Sequence, residues 1–256
     1  MAAPALFQDP NAQDAAQALA SPSRAHWLGQ DSLGRDLLAR LAAGAQISLV
    51  VGVASAGAAL AFGTILGAIS AYLGGLTDQL LMRAVDLLDS LPALLVVVVM
   101  KEILEQGDPK RGLWSIIAAL SFYTWMQIAR IMRGEVLRLR ELPFAEAARA
   151  LGASPARIIF VHLIPNCFHT MIVALSLRIP LNILSESMLG FVGLGVKSPR
   201  ASWGSLASEG WTALRFHPHL ILYPSLALFL TIWALNILGE EIRERFDPLR
   251  KRSWQI

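Results

Sequence analysis

Three groups of residues in this sequence have types and spacings that invite chemistry. The first is the run Glu146-Ala147-Ala148-Arg149-Ala150-Leu151-Gly152, followed after nine residues by His162-Leu163-Ile164-Pro165. Alanines at 147, 148 and 150 let another surface approach closely, and Glu146 offers a carboxylate to a basic partner. The second is Arg178, Asn182 and Glu186, set within an otherwise apolar stretch. Such groups are costly against lipid and so face a protein interior. Two readings fit them: they line a solute path, or they hydrogen-bond between helices, with Arg178 and Glu186 paired across helix turns. The third group fails on chemistry. Gly193-Leu194-Gly195 precedes Lys197-Ser198, but a phosphate-cradling loop needs Gly directly before Lys, where Val196 stands. His217-Pro218-His219 has no cysteine or carboxylate cluster to complete a metal site and reads as a loop turn. Ser185 and Ser187 beside Glu186 lack a base, which argues against a hydrolase. No cofactor or metal is expected.

The elements that carry these residues are set by hydrophobicity. Of the 256 residues, 55% are hydrophobic and 16% charged, with a mean hydropathy of +0.51, which points to a bilayer as solvent. The formal charge of +3 would hint at nucleic acid in a soluble chain. Here the basic residues flank apolar runs, the pattern that orients a membrane protein, and no nucleic acid is expected. The lone Cys167 excludes an internal disulfide. No cleavable signal is visible in residues 1–26.

About 20 helical residues cross roughly 30 Å of hydrocarbon, because each backbone N–H and C=O must be paired within its own helix. On that basis the fold class is all-α, a polytopic membrane helical bundle with five spans at about 41–77, 82–103, 113–133, 168–192 and 220–239. The first is uncharged and places Gly63 and Gly67 four residues apart, a spacing that lets helices approach. The second is strongly apolar only from Leu91 to Met100, and its Arg83, Asp86 and Asp89 suggest a charge ladder on one helix face. The third and fifth carry Trp114, Trp125, Tyr223 and Trp233, suited to the headgroup boundary.

Orientation follows from the basic residues near span ends. Arg130, Arg133, Arg138, Arg140, Arg149 and Arg157 fall in or beside the loop 134–166, and Arg243, Arg245, Arg250, Lys251 and Arg252 in the tail 240–256. Both belong in the cytoplasm. Alternation then puts residues 1–40 and the loops near 106–111 and 193–219 outside. A hydrophilic outside segment without a signal or preceding span has no route across the membrane, so a further helix upstream is expected in the natural gene product.

Within the cytoplasmic loop, residues 141–151 are good helix formers. Gly152 is placed to end that helix, and Ser154-Pro155 to cap and begin the next. The resulting helix-turn-helix has too few apolar residues for a core of its own, so its exposed face should dock on another protein.

These residues resemble the signature of the inner-membrane permease subunits of binding-protein-dependent ABC importers: Glu-Ala-Ala, three residues, Gly, nine residues, then Ile-x-Leu-Pro. His162 stands in place of the first Ile and Ile164 in place of Leu, while Pro165 matches. The His162 departure is similar to the dipeptide, oligopeptide and nickel branch. So are the run His26 to Asp36, Gly190-Phe191-Val192-Gly193-Leu194-Gly195 with Trp203-Gly204, and the closing Phe246-Asp247-Pro248. The resemblance covers about residues 26–252, without the family's first transmembrane helix. It implies a type I importer transmembrane domain that translocates peptides or related small solutes across the bacterial inner membrane by alternating access. Glu146, Ala147, Ala148, Gly152 and Pro165 would be its ATPase-coupling residues. It further implies that ATP is hydrolysed in separate ATP-binding subunits, with a second homologous permease and an extracytoplasmic solute-binding protein as partners. The competing reading from the residues is an ion-coupled secondary transporter using Arg178 and Glu186. Such folds carry paired broken helices, and only one unusual span is visible here.

Overall fold

The computed structural model describes residues 8–108 and 111–246. The closing Asp247-Pro248 and the basic Arg250, Lys251 and Arg252 lie outside the described residues. Helices dominate: α1 (Leu37–Leu73), α2 (Gly75–Asp89), α3 (Ala93–Glu105), α4 (Gly112–Leu139), α5 (Pro143–Ala150), α6 (Pro155–Arg157), a π-helical segment (Ile158–Leu163), α7 (Ile164–Asn166), α8 (Phe168–Phe191), α9 (Trp203–Thr212) and α10 (His219–Phe246).

Among the described residues, four helices are long and apolar enough to cross a membrane: α1, α4, α8 and α10. The expected second span is instead divided into α2 and α3. Pro92 lacks an N–H and drives the residue before it away from helical geometry, so the chain turns at Ser90-Leu91 and restarts at Ala93. Ser90 Oγ closes α2 by donating to the Leu87 carbonyl at 2.6 Å. The ladder expected from Arg83, Asp86 and Asp89 does not close on itself. Arg130 of α4 takes both carboxylates, Asp86 at 2.9 Å and Asp89 at 2.7 Å, because its planar fork reaches two acceptors one turn apart.

The chain forms two compact units. One comprises residues 1–53, 100–117 and 180–234; the other comprises residues 54–99, 118–179 and 235–256. The second unit holds an apolar core drawn from α1, α2, α4, α5 and the 158–167 stretch, including Val85, Met126, Met132, Val136, Ala148, Ile159 and Leu163. Its α1 and α4 meet at glycines. A Cβ built on Gly63 would stand 2.7 Å from the Trp125 carbonyl oxygen, and one on Gly67 would overlap that of Ala129. Gly74, at φ +63°, lets the chain reverse from α1 into α2.

The first unit holds a polar turn just before α1. Asp36 Oδ1 accepts from the Ala39 N–H at 2.7 Å and so caps α1, while its Oδ2 lies 2.8 Å from His26 Nδ1. Asp31 binds Arg35 and Arg40, both at 2.6 Å, and Arg40 reaches Glu209 on α9 at 3.1 Å. Burial works to raise the Asp31 pKa, but the backbone N–H groups of Arg35 and Leu33 and the guanidinium charges outweigh it and hold the carboxyl below its ordinary value.

Candidate coupling surface and buried polar sites

The helix-turn-helix expected between the third and fourth spans forms as α5, a turn, and the rod from Pro155 to Asn166. Pro143 opens α5 at its first turn, where its missing N–H costs nothing. Gly152 follows the helix at φ +79°, a conformation only glycine adopts cheaply. Ser154 caps the next helix by accepting from the Arg157 N–H at 3.3 Å.

The two faces of α5 differ. Ala145 and Ala148 are buried in the core of their unit, whereas Glu146, Ala147, Arg149 and Ala150 are exposed. Ala148 was expected on the docking surface; it anchors the helix instead, because it falls on the same stripe as Ala145. Leu151, at 88% exposure, and Gly152 extend the outward face at the tip.

The rod beyond is not a plain α-helix. From Ile158 to Leu163 it takes π geometry, and the Ile164 N–H reaches back five residues to the Ile159 carbonyl. Pro165 accounts for the wide turn: it has no N–H for the preceding turn and its ring would press on the carbonyl four residues back. Pro165 is exposed and shapes the rod. His162 is half-buried, and its carbonyl accepts from Asn166 Nδ2 at 2.6 Å.

Polar bonds tie this surface to the membrane helices of its unit. Arg149 Nη2 donates to the Arg140 carbonyl at 2.7 Å, and Arg140 Nη1 donates to Ala71 O, one of the last carbonyls of α1. Arg133 grips Asp78 through both oxygens, with Nε at 2.6 Å. That guanidinium, helped by the Ser70 hydroxyl and opposed by burial, holds the Asp78 carboxyl down at about 2. Cys167, buried at the end of the rod, has its thiol pushed up to about 12 by loss of solvent, so it is inert as a nucleophile.

The intramembrane trio separates. Arg178 is half-buried in one unit. Asn182 and Glu186 are buried in the other, and Glu186 bonds to Ser48 at 3.0 Å. Arg178 and Glu186 lie eight residues apart on α8, about 12 Å of helix rise, and form no ion pair. A cavity of about 470 Å³ between α4, α8 and α10 is lined by Glu135, Arg138, His169, Thr170 and Arg243, with none of the trio in its wall. Two ion clusters went unread in the sequence: Asp31-Arg35-Arg40-Glu209, and Lys101-Glu105-Lys197, in which Glu105 meets both lysines at 2.7 Å. The Lys101 to Glu105 spacing of four was the available signal. Among the described residues no cluster could hold a metal ion.

Four helices long and apolar enough to cross a membrane, with a helix-turn-helix buried on one side and exposed on the other, are the features of an integral membrane protein. The profile of the binding-protein-dependent transport system inner membrane component matches residues 63–252, and the chain belongs to that family. It is 41% identical over 231 residues to the oligopeptide transport system permease protein OppC of Bacillus subtilis (strain 168), covering 90% of this chain and 74% of that one. It is 36% identical over 230 residues to the glutathione transport system permease protein GsiD of Pectobacterium atrosepticum, covering 90% and 75%. The fold matches the inward-facing MetNI methionine ABC transporter with a TM-score of 0.65 over 82% of this chain and 98% of that one, at 19% identity. The architecture is that of a type I ABC importer transmembrane domain, and the chain is a permease subunit of such an importer.

Proposed function

We propose that this permease carries peptides or related small solutes inward, driven by a separate ATP-binding subunit that seats on α5 and its tip. The observation that carries this is the two-sidedness of α5: Ala145 and Ala148 fix it to the core, and Glu146, Ala147, Leu151 and Gly152 stand exposed. A helix held this way moves its unit when it is pushed. ATP must bind one arrangement of the complex better than the other, since a ligand indifferent to both shifts nothing. In this reading ATP hydrolysis resides in the partner, a second permease chain completes the conduit, and an extracytoplasmic binding protein delivers the solute. The peptide class is supported by the relatives, whose names specify oligopeptides, dipeptides and glutathione.

Orientation is part of the proposal. The unit containing residues 54–99, 118–179 and 235–256 gathers the segments that the basic-residue rule places inside, including the loop 134–166 and the start of the tail. The other gathers residues 1–40 and the loops near 106–111 and 193–219. The C-terminus is then cytoplasmic. Of the three intramembrane polar residues, Arg178 alone is not buried, and we assign it to the solute path.

The test is charge reversal at the docking face. In the reconstituted complex, Glu146→Lys should lower both binding-protein-stimulated ATP hydrolysis and uptake about tenfold, as like charges meet at the interface. Normal uptake by this variant would remove the coupling assignment.

A further inference from the structure

Glu186 has no exposed surface, and the groups around it are hydroxyls. Its Oε2 accepts from Ser48 Oγ of α1 at 3.0 Å and from Ser187 Oγ at 3.4 Å, with the Ser202 hydroxyl also in reach. Ser48 Oγ in turn accepts from the Trp203 N–H, the first of α9, at 3.3 Å. The second oxygen, Oε1, is buried without a hydrogen-bond partner among the described residues. Among the described residues no cation is bonded to this carboxyl, so it acts as a hydrogen-bond hub and not as half of an ion pair.

The backbones around the hub are drawn together by glycine. A Cβ on Gly44 of α1 would lie 3.3 Å from the Ser202 carbonyl carbon, and one on Gly190 of α8 would lie 2.9 Å from the Ser205 N. One on Gly204 would overlap the Ser187 carbonyl. Trp203 adds a bond from its indole N–H to the Leu41 carbonyl at 3.1 Å, and Ser202 and Ser205 close a capping box on α9. The start of α9 and the distant α1 thus meet at one side chain of α8.

We infer that Glu186 is a positioning residue that clasps the start of α9 to α1 and α8, so that the segment 193–219 travels with those two helices through the transport cycle. This rests on the importer reading above. The loop would otherwise lag behind the helices that bear it, and nucleotide-driven movement would fail to change access at that end of the protein.

The experiment compares Glu186→Gln, Glu186→Leu and Ser48→Ala in the assembled complex for uptake, ATP hydrolysis and amide hydrogen exchange in α9. Gln preserves the shape and the hydrogen-bonding hub, and should keep uptake within about twofold of the unmodified complex. Leu and the Ser48 variant should speed exchange at residues 203–206 while α4 stays protected, and lower uptake about tenfold while ATP hydrolysis continues. Unchanged α9 exchange in the Ser48 variant, which removes a single hydroxyl, overturns the clasp. So does a Gln variant as defective as Leu, since charge would then carry the role. Failure of the importer reading looks different: the unmodified complex would show no ATP-driven uptake whatever α9 does.

Discussion

At Gly67 a single hydrogen stands where any larger group would strike the Ala129 carbonyl, and Gly63 repeats the contact one turn earlier against Trp125. Gly67→Ala should therefore push α1 from α4 and lower stability by about 1–3 kcal/mol, read as a lower thermal midpoint in detergent. Gly57 has open space around it, so Gly57→Ala serves as control and should melt at or slightly above the parent. Equal midpoints for the two variants would refute the contact. Asp78 makes a second prediction at this scale. Its carboxyl is held near 2, below its ordinary 3.8, by Arg133 first. A depressed folded-state value stabilises above the unfolded value and is lost as pH falls through the folded one. The stability advantage over Asp78→Asn should thus be constant above pH ~4 and shrink between ~4 and ~2. The glycine spacing was legible because it is local. The Arg130 grip on Asp86 and Asp89 was not, since a partner on another helix leaves no fixed spacing to read.

The elements divide in the same way. Long apolar runs announced α1, α4, α8 and α10, that of α8 despite Arg178 and Glu186, and the turn residues Gly152 and Ser154-Pro155 announced the helix-turn-helix. The break at Pro92 was written in the sequence but outvoted by the apolar run that follows it. The π-helical segment from Ile158 to Leu163 was invisible, because a propensity scale registers Pro165 as a breaker and not as a cause of widening. Under the proposed coupling role, that widening has a mechanical consequence. It sets the rotation of the α5 side of the rod relative to α8. Pro165→Ala restores a donor and permits ordinary α-helical bonding, which by removing one residue from the wide turn rotates the two sides by about 100°. Uptake should fall several-fold while the thermal midpoint holds or rises. A variant that transports normally would show that the wide turn has no mechanical role.

For the whole molecule, fold class and family membership were legible nearly end to end, since hydropathy and motif spacing survive without coordinates. The division into two compact units was not, because each draws on three separate stretches of chain. Nor was it visible that Glu186 sits in a hydroxyl cluster rather than opposite Arg178. In the proposed mechanism, force enters the protein at the tip of α5. The most direct test places a cysteine at Leu151, in a chain whose native Cys167 is buried and unreactive. In the reconstituted complex, Leu151→Cys should cross-link to the ATP-binding subunit, and in intact cells it should be shielded from a membrane-impermeant maleimide added outside. Labelling from outside, or cross-linking to the solute-binding protein instead, would contradict the account.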